Sequence, residues 1–79
     1  MADEQQLDLR GLKCPLPALK TRRALARLAP GTMITVTCTD PLAVIDIPNV
    51  VRETGGHLAS QSAENGILTF RIRRVPGPL

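Results

Sequence analysis

Aromatic side chains are almost missing. The 79 residues hold one phenylalanine, Phe70, and neither tryptophan nor tyrosine. Proteins that grip single-stranded nucleic acid stack its bases on aromatic rings, so that platform is excluded and no direct nucleic-acid contact is expected. There is one histidine, His57. No second histidine and no acidic partner lies at ligand spacing from it, which excludes a zinc signature. No apolar run approaches the about 20 residues of a membrane helix. Charge of either sign is modest, with a net of +3. That suits acidic protein partners but is too weak to indicate nucleic acid. The polar, acidic start from Met1 to Gln6 is the opposite of a signal peptide, so the cytoplasm is the expected compartment. Cysteine is scarce too. Cys14 and Cys38 could form one disulfide, but a reducing compartment favours free thiols.

What is present centres on Arg10-Gly11-Leu12-Lys13-Cys14-Pro15-Leu16-Pro17. Proline has a fixed φ and no N–H, so it fits the first turn of a helix and not its interior. Pro15 is therefore expected as the first helical residue, Pro17 as the third and Cys14 as the N-cap. A thiolate is well placed at the positive end of a helix, where cysteine pKa falls and reactivity rises. Arg10 and Lys13 are expected to lower it further. Gly11 supplies the sharp turn out of the preceding strand. Cys14 thus reads as an exposed nucleophile, with Gly11, Pro15 and Pro17 positioning it.

Around this stretch the periodicities alternate between strand and helix. Gln6–Arg10 alternates as a half-buried strand. A helix follows Cys14 to about Ala29, ending at Pro30-Gly31. Ala18, Thr21, Leu25 and Leu28 share its inner face. Leu16, Lys20, Arg23 and Arg27 form an outer stripe that, with Arg10 and Lys13, is the candidate partner-binding surface. Thr32–Thr39 reads as a strand with Ile34, Val36 and Cys38 buried. Asp40 and Pro41 open a second helical segment. Pro48 suggests a short first turn, then a restart capped by Asp46, ending at Gly55-Gly56. His57–Glu64 and Ile67–Arg73 flank Asn65-Gly66, a strong signal for a type I′ hairpin turn. Leu68, Phe70 and Ile72 point inward, while Arg71, Arg73 and Arg74 are expected on a solvated face. The order is βαβαββ, and one apolar face per strand predicts a two-layer α/β (α+β) sandwich, with both helices on one side of the sheet. There are no repeats or linkers. One domain, residues 1–79, is expected, ordered from about residue 6 to 74 with frayed ends.

The Cys14-Pro15-Leu16-Pro17 run resembles the Cys-Pro-x-Pro signature of the TusA/SirA family of small sulfur carriers. Leu9-Arg10-Gly11-Leu12, Thr39-Asp40-Pro41 and Asp46-Ile47-Pro48 resemble further family motifs, in order, from about Leu7 to Arg73. Leu16 departs from members that thiolate tRNA, which carry an acidic residue there. The resemblance implies a four-stranded mixed sheet and a persulfide held on Cys14. It implies a cysteine desulfurase or rhodanese-type sulfurtransferase as donor, and an acceptor in tRNA thiolation, molybdenum-cofactor maturation or sulfur oxidation. It implies no cofactor or metal. A monomer is expected. Cys38, in phase with Ile34 and Val36, reads as a core thiol. The alternative is a redox or regulatory binding module that uses Cys14 and Cys38 as a pair.

Overall fold

The computed structural model describes residues 4–75. The remaining terminal residues, among those expected to fray, lie outside that range. The elements are β1 (Glu4–Leu9), α1 (Leu16–Arg27), β2 (Met33–Cys38), α2 (Ala43–Thr54), β3 (His57–Glu64) and β4 (Ile67–Arg73). They form one four-stranded mixed sheet in the order β1-β2-β4-β3. β1 and β2 are parallel neighbours, with Leu7 opposite Val36 and Leu9 opposite Cys38. β4 pairs antiparallel with both β2 and β3. The fold is therefore the α+β sandwich that the alternation of periods predicts.

The reason lies in which side chains need burial. Leu9, Ile34, Val36, Cys38, Phe70 and Ile72 project from the strands into one core. Leu25 and Leu28 from the α1 region meet them there, as do Ala43, Ile47, Val50 and Val51 of α2. β3 contributes little to this core. All its residues are exposed except the half-buried Leu58, as suits a polar strand at the sheet edge. At the hairpin turn both Asn65 and Gly66 have positive φ, 54° and 79°, as a type I′ turn requires.

Several local expectations change. β1 begins at Glu4, two residues early, because Glu4 and Gln5 still pair with Met33 and Ile34. α1 ends at Arg27 rather than Ala29, since Leu28 turns to an extended conformation while staying buried. α2 is one continuous helix with Pro48 inside it. Proline there forfeits the bond to the carbonyl of Val44, a residue on the exposed side, so water can take the vacant acceptor and no restart is needed. Asp46 is therefore a first-turn residue of α2, not a cap. Arg74 does not lie on a solvated face. It is half-buried and donates to the carbonyls of Leu25 and Leu28 (3.1 Å to the latter), closing the C-terminal end of α1. Arg71 pairs with Glu4 and Arg73 reaches the carbonyl of Gly31.

Candidate functional site: a cysteine where two helices begin

Parallel pairing of β1 and β2 brings the C-terminal ends of both strands to one edge. Each strand then feeds a helix, so α1 and α2 begin side by side. That is where open α/β sheets place ligands and reactive groups. The loop from β1 carries Cys14 and the loop from β2 carries Thr39 and Asp40. The two loops are tied together by direct bonds. The Gly11 N–H donates to Thr39 Oγ1 at 2.8 Å, and the Cys14 N–H donates to Asp40 Oδ2 at 2.5 Å. Gly11 makes the turn with φ 86°, a conformation costly for any residue with a Cβ. Half-buried Leu12 packs against the core and anchors the loop.

The start of α1 differs from expectation by one residue. Pro15 is the N-cap and Leu16 the first helical residue, with Pro17 inside the first turn. Cys14 thus stands one residue outside the helix, because the N–H of Leu16 is already taken by the carbonyl of Lys13 (2.9 Å) and the carbonyl of Pro15 accepts the first helical bond, from Leu19 (3.1 Å). Pro17 is buried, so it wedges the helix start against the body of the protein as well as shaping it. The Cys14–Pro15 bond is cis. The Cys14 thiol is exposed and free.

Its electrostatics reverse the sequence-based expectation. The Sγ donates to Asp46 Oδ2 at 3.2 Å, across from the first turn of α2. Asp46 first, then desolvation and the Asp40 charge, push the thiol above its ordinary range. The Asp46 carboxylate sits on the sulfur itself, and the Asp40 carboxylate on the Cys14 backbone nitrogen. Arg10 does not activate the thiol. It forms a two-pronged pair with Asp8 (2.8 and 2.9 Å), which holds the Asp8 carboxyl down at about 2. Asp40 accepts hydrogen bonds from the backbone N–H groups of Cys14 and Leu42, which lower its pKa, and the Lys13 charge lowers it further.

Cys38 is fully buried in β2. Burial, followed by the Asp40 charge, pushes its thiol up to about 11. Both cysteines are free, Cys14 exposed and Cys38 buried.

The outer stripe of α1 divides. Lys20, Arg23 and Arg27 line a cleft of about 280 Å³ together with Leu7 and Ala24. Leu16 belongs instead to an apolar collar. Leu16, Leu19, Leu42, Val44 and Ile45 are exposed by 43–59% and are the exposed large apolar side chains among the described residues. All lie in or just before the opening turns of α1 and α2, the turns that meet at Cys14. Sequence periodicity identified Leu16 but neither Leu19 nor the members at α2, whose phase the expected helix break before Pro48 hid. A second hollow of about 180 Å³, between Val44 and the β3–β4 hairpin, is lined by Gln61, Ser62, Ala63, Leu68 and Phe70 and has no ionisable lining residue. Among the described residues no group of three or more His, Cys, Asp or Glu side chains could hold a metal ion, and no helix is long and apolar enough to cross a membrane.

Fold and site together define a class: a small two-layer α+β domain that presents one free cysteine at the joint start of two helices. Comparison with known proteins narrows this. The family model described as "Sulfurtransferase TusA" matches residues 5–74, and the chain belongs to that family. The sulfur carrier protein TusA of Allochromatium vinosum is 37% identical over 75 residues, covering 94% of this chain and 99% of its own. A Neisseria meningitidis protein is 38% identical over 71 residues, 90% of this chain and 96% of its own. The sulfur carrier protein TusA of Pseudomonas paraeruginosa is 37% identical over 68 residues, 86% of each chain.

Proposed function

We propose that this protein is a sulfur carrier that holds sulfane sulfur as a persulfide on Cys14. One observation supports the reading above all: in a TusA-family chain, the exposed cysteine is a free thiol fixed by backbone and side-chain bonds where two helices begin. Loading is attack by the Cys14 sulfur on the outer sulfur of a donor persulfide. The Cys14–sulfur bond forms, the donor's S–S bond breaks, and its electron pair and a proton leave on the donor thiol. Delivery is the same exchange with Cys14 as the leaving group. The sulfane sulfur changes hands without any outside oxidant or reductant, so no resident cofactor is needed. This is sulfurtransferase chemistry shared with partners rather than turnover by one enzyme.

The donor is a cysteine desulfurase or rhodanese-type sulfurtransferase in the cytoplasm. The acceptor protein serves tRNA thiolation, molybdenum-cofactor maturation or sulfur oxidation. Gly11, Pro15 and Pro17 position the cysteine. Leu16 and its apolar neighbours meet the partner beside the sulfur, while Arg10, Lys13, Lys20, Arg23 and Arg27 favour an acidic partner surface. The protein works as a monomer. The test is a relay. Carrier loaded by a desulfurase with isotopically labelled cysteine is separated from the donor, then mixed with a rhodanese-type protein whose nucleophilic cysteine is free. Label should move to the second protein. Label that never leaves the carrier would refute a relay role.

A further inference from the structure

The hydrogen bond from Cys14 to Asp46 has a consequence for when sulfur moves. We propose that Asp46 is a positioning residue that locks Cys14: it keeps the empty carrier as a thiol and makes the loaded carrier slow to release its sulfur. The inference rests on the sulfur-carrier reading of Cys14 for its second half, but not for its first.

The geometry is specific. Asp46 Oδ2 lies 3.2 Å from Sγ and receives its proton in a hydrogen bond. Asp40 Oδ2 lies 2.5 Å from the Cys14 nitrogen, so a second carboxylate flanks the residue from the β2–α2 loop. The charged groups facing the site from the packed elements are thus Asp40 and Asp46, with Lys13 beside Asp40 and Arg10 committed to Asp8. An anionic sulfur would lose its bond to Asp46 and meet like charge at the same distance. The thiol gains both ways, in agreement with the upward direction of its pKa.

Exchange chemistry links this to sulfur retention. A thiolate of higher pKa is the poorer leaving group. When an acceptor thiolate attacks the outer sulfur of the Cys14 persulfide, a bond forms between acceptor and outer sulfur and the S–S bond to Cys14 breaks. The electron pair stays on Cys14 Sγ, which is then protonated by water to the thiol. Charge on Sγ grows along this path, opposite Asp46. Small cellular thiols meet this resistance undiminished. Removal of the Asp46 charge lowers it.

The experiment uses Asp46→Asn and Asp46→Glu in the whole protein. Cys38 is buried, so alkylation by iodoacetamide under native conditions reports Cys14, with Cys14→Ser as the blank. In Asp46→Asn the pH profile of alkylation should move to lower pH and the rate at neutral pH should rise several-fold, while Asp46→Glu stays close to the parent. Persulfide loaded chemically with polysulfide should be discharged by dithiothreitol several-fold faster from Asp46→Asn than from the parent. Asp46→Ser is a second variant that also removes the charge, and its profile should move in the same direction. A profile unchanged in folded Asp46→Asn and Asp46→Ser proteins overturns the lock. A moved profile with unchanged discharge overturns its retention half alone. Failure to load from a desulfurase would instead count against the sulfur-carrier reading and leave the alkylation result standing.

Discussion

Thr21 offers a quantitative test of the packing that holds the helix behind Cys14. It lies on the inner face of α1, fully buried, and its hydroxyl has no hydrogen-bond partner. A buried polar group without a partner costs about 1–3 kcal/mol. Valine has nearly the same shape and replaces the hydroxyl with a methyl group, and the helix propensities of the two residues are similar. Thr21→Val should therefore stabilise the protein by about 1–2 kcal/mol. In a domain of this size each kcal/mol moves Tm by about 4–8 °C, so the effect is well above error. Urea unfolding should show a higher midpoint with an unchanged slope, the mark of altered stability rather than an altered unfolded state. Thr21→Ser, which keeps the hydroxyl and removes the methyl, should lose stability. Cys14 alkylation should be the same in both variants, since neither touches the site. A Thr21→Val protein less stable than the parent would refute the reasoning, because it would mean that the hydroxyl is satisfied in solution.

Cys38→Ala should remain folded, keep its sulfur loading and lose about 1 kcal/mol. Loss of loading in the folded variant would promote the redox alternative. The Cys38 thiol also gives the parent an alkaline limb: its folded pKa, about 11, exceeds the ordinary 9.0, so the unfolded chain releases the proton first and stability falls as pH rises from about 9 through 11. Cys38→Ala should flatten that limb in chemical denaturation. Gly11→Ala meets no atom within 4 Å of the added Cβ, so its cost is the left-handed backbone alone, about 1–2 kcal/mol, measurable by thermal melting; a neutral result would mean that the loop adopts another conformation. Reversing the charges of Lys20, Arg23 and Arg27 together should leave the fold and Cys14 alkylation intact while slowing sulfur transfer with the natural partners and removing its salt dependence. Transfer at the parental rate would make the cleft they line a merely solvated surface.

The architecture was legible because β1, β2 and β4 announce themselves by alternation, and β3, a polar strand, by the hairpin turn that follows it. Ile34-Val36-Cys38, Phe70 and Ile72 lie buried as their phase requires, with Leu68 partly buried beside them, and Asn65-Gly66 makes the expected turn. The cysteine loop was legible in kind, since Gly11 and the prolines each mark a backbone restriction. Its electrostatics were not. Arg10 and Lys13 are near Cys14 in sequence, whereas Asp40 and Asp46 are near it only through parallel strand pairing, and hydrogen bonds made across that pairing decide the sign. The same holds for Arg74, whose role at the end of α1 depends on β4 continuing beside β2. Pro48 misled for a different reason. A proline's cost in a helix depends on whether water can reach the carbonyl it leaves unpaired, and that is a property of the fold.

The most direct measurement of the central claim is the site of sulfur loading. The protein is incubated with a cysteine desulfurase and cysteine, the persulfide is capped with an alkylating reagent, and intact and peptide masses are recorded. One added sulfur should appear on the Cys14 peptide, absent from Cys14→Ser and unaffected by Cys38→Ala. Sulfur that accumulates on Cys38, or loading that persists in Cys14→Ser, would contradict the account.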